Sequence, residues 1–269
     1  MLWNATAIRG YVIEASDGSI GTVSDFLFDD AGWTVRWLVV DTGSWLSGRK
    51  VLLPVHVLGR LDADTREFTV RLTKQQVKDS PDIDTDRPVS RQIETNAYEY
   101  YGGSPYWGAG YYMGYGFVPG GVPLPVSEGS MRRDDGLAAA PSHDDDPHLR
   151  SVATVTGYHI EATDGEVGHA DDFLIEDTDW SIHYLAVDTK NWWPAKKVLI
   201  SPRLARNIDW IGRVISLDVD RDTVKKSPEY DPATIVDRDY ESRFHSYYGD
   251  LLPGERSRPA NDRSTLLGD

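Results

Sequence analysis

The chain contains no cysteine. Disulfide staples, thiolate metal sites, iron–sulfur clusters and a cysteine nucleophile are therefore excluded. It also lacks any run of the roughly 18 apolar residues that a membrane-spanning helix requires. The opening residues, Met1-Leu2-Trp3-Asn4, offer neither the basic nor the apolar stretch of a secretory signal. The expectation is a cytoplasmic protein, with peripheral attachment to a membrane as the second option. Positive charge is scarce: 28 lysines and arginines stand against 43 aspartates and glutamates, a formal net charge of −15. Nucleic-acid affinity rests largely on neutralising phosphates and releasing their counterions, so bulk nucleic-acid binding is not expected. Neither a Walker-type phosphate loop nor a nucleophile elbow occurs.

What the sequence does contain is itself, twice. Gly10-Tyr11-Val12-Ile13-Glu14-Ala15-Ser16-Asp17-Gly18 returns as Gly157-Tyr158-His159-Ile160-Glu161-Ala162-Thr163-Asp164-Gly165, an offset of 147. The offset holds without a gap through Asp25-Phe26-Leu27 and Asp172-Phe173-Leu174, Trp33 and Trp180, Asp41-Thr42 and Asp188-Thr189, and Ser80-Pro81 and Ser227-Pro228. Tyr100-Tyr101-Gly102 still falls on Tyr247-Tyr248-Gly249. Two copies cannot stack into a solenoid, so this is a duplicated domain. The boundaries read as a first repeat over 1–102, a flexible linker over 103–150, a second repeat over 151–250 and a disordered tail over 251–269. The linker is rich in Gly, Pro, Tyr and Ser and carries Asp144-Asp145-Asp146, a composition that buries too little apolar surface to offset ordering.

Each copy patterns as strands. Tyr11, Ile13 and Ala15 share one face while Val12 and Glu14 take the other, the period-two alternation of a half-buried strand. Asp17-Gly18 supplies a turn, and further strands are predicted from Ile20 to Phe28, Thr34 to Val40, Lys50 to Pro54 and Arg66 to Leu72. Thr73 to Ser80 reads as a helical turn or two, stopped by Pro81. Five or six short strands in one repeat suggest a small closed or nearly closed barrel. The fold class is mainly β, two small barrels in tandem joined by a disordered linker rich in Gly, Pro and Tyr.

In order and spacing, these elements resemble the PRC-barrel family. The resemblance is carried by Gly-Tyr-x-Ile-x-Ala-x-Asp-Gly-x-x-Gly, the Asp-Phe-Leu that follows, Trp-x-x-x-Trp-Leu-Val-Val-Asp-Thr, Val-Leu-Leu-Pro, Ser-Pro and the aromatic stretch from Tyr100 to Trp107, and most of these features recur in the second copy. The resemblance implies barrels of about six strands. It also implies docking on a larger assembly, as in the cytoplasmic part of the photosynthetic reaction-centre H subunit and a domain of the ribosome maturation factor RimM.

The chemistry is sparse. His56, His159, His169, His183 and His245 do not match one another across the copies, and a duplicated active site would keep its ligand types. His143 and His148 flank the acidic run of the linker, where a solvated segment is the favoured reading over a loosely held cation. No catalytic, cofactor-binding or metal residue is assigned, and no cofactor is expected. Asp25 and Asp172 each precede Phe-Leu in a strand. They are candidates for proton relay, or for satisfying backbone donors at a bulge or corner. One loop per copy joins tryptophan to paired cations: Trp45, Arg49 and Lys50 in the first, Trp192, Trp193, Lys196 and Lys197 in the second. Trp and Arg are enriched at binding hot spots, and the alternative is an indole folded over the barrel mouth beside solvated cations. A barrel this small is filled by its own side chains. The expected function is therefore a non-catalytic adaptor that docks on protein partners, its two barrels packing together. The alternative is an accessory like the H subunit, supporting electron or proton transfer at a membrane complex.

Overall fold

The computed structural model describes residues 1–81, 91–103, 149–189 and 196–252. Nearly all of the expected linker and tail therefore lies outside the described residues, as do Trp192 and Trp193. The chain folds mainly as β-structure in two sheets, one per repeat.

The first sheet is built from β2 (Val12–Ala15), β3 (Gly18–Asp29), β4 (Thr34–Asp41), β5 (Lys50–Pro54), β6 (Leu58–Asp62) and β7 (Glu67–Val70), in the order β5-β4-β3-β2-β7-β6. Helix α2 (Lys74–Lys78) follows, opened by a capping box between Thr73 and Gln76. Hairpins connect most neighbours, but β2 and β7 pair in parallel, with Ile13 opposite Phe68. That pairing brings the end of the repeat back to its start and curls the sheet around Ile13, Ile20, Phe26, Phe28, Leu38, Val40, Val51, Leu53 and Phe68, all fully buried. The second sheet repeats the plan with β9 (His159–Ala162), β10 (Gly165–Glu176), β11 (Ile182–Asp188), β12 (Lys197–Ile200), β13 (Ala205–Asp209) and β14 (Val214–Leu217). Here β14 runs parallel to β9, and β15 (Glu229–Tyr230) extends the edge at β12.

Strands β6 and β13 are absent from the sequence-based expectation. Leu58-Gly59-Arg60-Leu61-Asp62 lacks alternation because only Leu58 is buried, so the strand is set by its hairpin with β7 and not by an apolar face. Two helices also go beyond it: α3 (Arg91–Tyr101) and its counterpart Arg238–Tyr248. Both are rich in Tyr, Asn, Ser, His or Phe, which favour helix weakly. They form because β3, β4 and β5 are apolar on their outer face as well. Leu27, Trp37, Val39 and Leu52 on that face pack against Ala97, Tyr98 and Tyr101 of α3. The Trp37 indole donates to Glu94 Oε1 at 2.8 Å, which places a buried carboxylate in the same cluster.

The repeats keep this layer by trading volume. Trp37 opposite Ala97 becomes Tyr184 opposite Phe244 in the second copy, where those rings meet edge-on at 4.8 Å. A large strand residue with a small helix residue is replaced by two of middle size.

The ends of the repeats depart most from expectation. Leu149–Ser151 forms a strand, β8, that pairs with β3, although the sequence places Leu149 and Arg150 at the end of the linker. Leu2–Asn4 forms β1, which pairs with β10 of the second repeat. The chain divides into two compact units accordingly. One comprises Arg9–Ala31 and Val35–Arg150, and the other comprises Met1–Ile8, Gly32–Thr34 and Ser151–Asp269. Neither unit coincides with a sequence repeat.

Candidate functional site

The tryptophan loop of the first repeat begins where β4 ends. Residues Gly43–Leu46 form a 3-10 turn, and Ser47 (φ 55) and Gly48 (φ 74) reverse the chain through left-handed conformations. The neck is closed by Thr42, whose hydroxyl donates to the Arg49 carbonyl at 2.5 Å while its amide donates to the same oxygen at 3.3 Å. Thr189 makes the same closure onto the Lys196 carbonyl, at 2.6 and 3.2 Å. The Asp-Thr dipeptide of each repeat is thus a loop clasp. Asp41 adds to it by accepting from the Gly43 amide at 2.8 Å.

The cations of these loops are not equivalent. Arg49 turns inward and donates to the Lys78 carbonyl at 3.2 Å and to the Ser80 carbonyl, satisfying acceptors left over at the end of α2. Lys196 does the same work in the second repeat, donating to the carbonyls of Lys225 at 2.8 Å and Ser227 at 2.7 Å. Burial lowers the pKa of its ammonium. Lys197 of β12 pairs with Asp171 of β10, across the intervening β11, and Lys50, at the start of β5, is half-exposed. Trp45 is half-buried, and the Lys74 ammonium lies over its ring at 5.1 Å from the centroid. Sequence spacing did not bring out Lys74, which comes from α2 and reaches the loop only in the folded chain.

The paired aspartates lie elsewhere. Asp172 sits on β10 where the register with β11 shifts. It is 5% exposed and accepts from its own neighbour's amide, Phe173 N, at 2.7 Å. It also accepts from the amide of Thr6 at 3.0 Å and from the Thr6 hydroxyl. Burial pushes its carboxyl above the usual range, against the pull of those donors. Asp25, its twin, pairs with Arg9 at 3.2 Å. Among the described residues no three His, Asp or Glu side chains gather as a metal site. Of the described histidines, His159 and His169 stand opposite each other on β9 and β10, His159 meets Glu166 at 3.1 Å and His56 meets the Tyr101 carbonyl at 3.3 Å.

Tyrosines carry the largest electrostatic perturbation. Burial drives Tyr101 and Tyr184 from 10.0 up to about 12, and raises Tyr98, Tyr240 and Tyr248 as well. The unfolded chain releases these phenolic protons near the ordinary value, whereas the folded chain holds them, so deprotonation favours unfolding. Stability is expected to be full below pH 10 and to fall as pH rises toward 12, read from urea midpoints across that range. Absorbance at 295 nm should show these phenols ionising together with unfolding. A midpoint that stays flat through pH 12 would contradict the assignment.

Residues 7–77 match the family model of the PRC-barrel domain. The chain is also similar to a protein of Deinococcus radiodurans described as uncharacterized, with 34% identity over 92 residues, which is 34% of this chain and 32% of that protein. The chain thus spans about a third of the length of the curated relative it matches. No helix among the described residues is long and apolar enough to cross a membrane.

Proposed function

From a chain that carries a PRC-barrel domain over residues 7–77, we propose a non-catalytic adaptor that binds protein partners through the Trp45 loop. PRC-barrel domains generally serve in binding or adaptor roles and not as catalysts. The observation that carries the proposal is the half-exposed Trp45 indole held under Lys74 on a loop whose neck is clasped by Thr42. A large aromatic that is already immobilised loses little conformational entropy on binding. An adjacent ammonium adds a directed charge for an acidic or carbonyl-rich partner surface. Arg49 contributes indirectly, by anchoring the loop to the end of α2. Trp192 and Trp193 are proposed as the matching contact of the second repeat, with Lys196 as the anchor.

The test is recovery of partners from the native host with the full chain as bait, quantified by mass spectrometry. Trp45→Ala is expected to reduce specific recovery by about tenfold or more, in the range of a hot-spot aromatic, with circular dichroism unchanged. Lys74→Glu should weaken recovery without removing it. Equal recovery with Trp45→Ala would sink the proposal.

A further inference from the structure

The N-terminal segment of each repeat is built into the sheet of the other repeat. β1 pairs antiparallel with β10, setting Leu2 opposite Glu176, Trp3 opposite Ile175 and Asn4 opposite Leu174. The helical turn α1 (Ala5–Ile8) follows. Its second residue, Thr6, gives its amide and hydroxyl to Asp172, so a carboxylate far along the chain satisfies a donor that a local N-cap normally takes. Further along the same edge, the Trp3 indole donates to Asp177 Oδ2 at 2.9 Å, and Tyr230 donates to Asn4 Oδ1 at 2.9 Å.

The reciprocal arrangement holds 147 residues away. β8 pairs with β3, the twin of β10, and Leu149 enters the cluster under α3 beside Trp37 and Val39. Arg150 Nε donates to Asp30 Oδ2 at 2.8 Å. Arg150 is the twin of Trp3, and Asp30 is the twin of Asp177. A neutral indole and a cationic guanidinium differ in charge and size, but each directs an N–H at the equivalent carboxylate of the other copy, Asp177 or Asp30. The chain then turns away from each segment at a left-handed glycine, Gly10 (φ 78) or Gly157 (φ 91).

We propose that the edge of β10 marked by Asp172 and Asp177 is a docking slot for a strand-and-turn segment, filled by Met1–Ile8, with β3 and Asp30 as the reciprocal slot for Leu149–Arg150. The two repeats are thereby each other's ligands. The segment recognised is an extended tripeptide with an N–H donor on its central side chain, followed by a helical turn whose second residue donates to a buried carboxylate. This is strand addition at a sheet edge, with main-chain bonds for affinity and side-chain bonds for register. The stretch between the repeats raises the effective concentration of each segment at its slot. It is a tether and is not required to hold the repeats together.

The experiment uses the full chain with a protease site inserted between Gly120 and Gly121, cut to completion. The two halves are expected to remain a one-to-one complex by size-exclusion chromatography with light scattering when diluted through the micromolar range. Trp3→Phe combined with Thr6→Val should weaken that complex by roughly tenfold or more, and Asp172→Ala should weaken it more than Asp172→Asn, which keeps an acceptor for the Thr6 amide. Because the chain has no cysteine, the exchange can also be read directly without a destabilising deletion. Leu2→Cys with Glu176→Cys, which stand opposite each other on β1 and β10, should join the cut halves on a denaturing, non-reducing gel. Halves that part in the wild type, variants without effect on the complex, or halves left unjoined by the Leu2→Cys, Glu176→Cys pair would each overturn the proposal.

Discussion

Replacing Gly168 with alanine is expected to unfold the sheet of the second repeat, and Gly21→Ala to do the same in the first. At each site φ lies in the range that disfavours side chains, 157° and 140°, and an added Cβ would stand 2.1 Å from a backbone carbonyl oxygen, of Asp188 or Asp41. That oxygen belongs to the neighbouring strand and cannot rotate away, so relief would require the ladder to open. The cost should exceed about 3 kcal/mol, the upper range of overpacking, and should appear as a lost urea transition for the affected sheet. Gly10→Ala is the control. Gly10 shares a positive φ of 78°, but an added Cβ would meet nothing within 4 Å, so only about 1 kcal/mol of conformational cost is expected. If the Gly21 and Gly10 variants lose equal stability, the close approach of the strands is not what selects glycine.

Trp37→Ala is the second large effect, expected to cost about 3–5 kcal/mol. The indole is fully buried, meets Tyr98 at a tilt with ring centroids 4.6 Å apart and donates to Glu94. Its loss would expose the lining of the outer cluster and remove a donor from a buried carboxylate. The second repeat indicates the remedy. Trp37→Tyr should leave a void and Ala97→Phe should overpack, each destabilising alone. Together they reproduce the Tyr184–Phe244 pairing and should recover part of the loss, a favourable coupling of about 1–3 kcal/mol in a double-mutant cycle. Additive losses would mean that the two copies do not share one outer layer.

Some of this was legible in the residues. The period-two pattern of Tyr11-Val12-Ile13-Glu14-Ala15 locates β2, and the stretch from Thr73 to Ser80 ahead of Pro81 locates α2. The outer helix layer had a signal as well. Phe26-Leu27-Phe28, Leu38-Val39-Val40 and Val51-Leu52-Leu53 are uninterrupted, and a strand with two apolar faces needs a cover on both. The cover itself, Arg91–Tyr101, is hard to see because tyrosine and asparagine favour helix weakly, and its stability comes from the sheet beneath it.

The candidate loops divided in the same way. Tryptophan beside paired cations is visible in one dimension, but whether a cation meets solvent or a helix end is not. Arg49 and Lys196 face the carbonyl ends of α2 and its counterpart, and Lys74 stands over Trp45 from an element about thirty residues away. Asp25 and Asp172 stand out by recurrence; Asp25 pairs with Arg9, whose twin is Thr156, and the Thr6 hydroxyl that reaches Asp172 has no counterpart in its twin, Ala153.

By itself the sequence determined the duplication, the strand content of each copy and the absence of thiol chemistry, because periodicity and composition are local or self-comparing properties. Tertiary structure alone decided which strand each N-terminal segment joins. Leu2–Asn4 and Leu149–Ser151 are short and similar enough to suit either sheet edge by pattern. The choice between near and far edge depends on geometry at Gly10 and Gly157 and on donors reaching Asp172, Asp177 and Asp30, none of which is encoded in spacing along the chain.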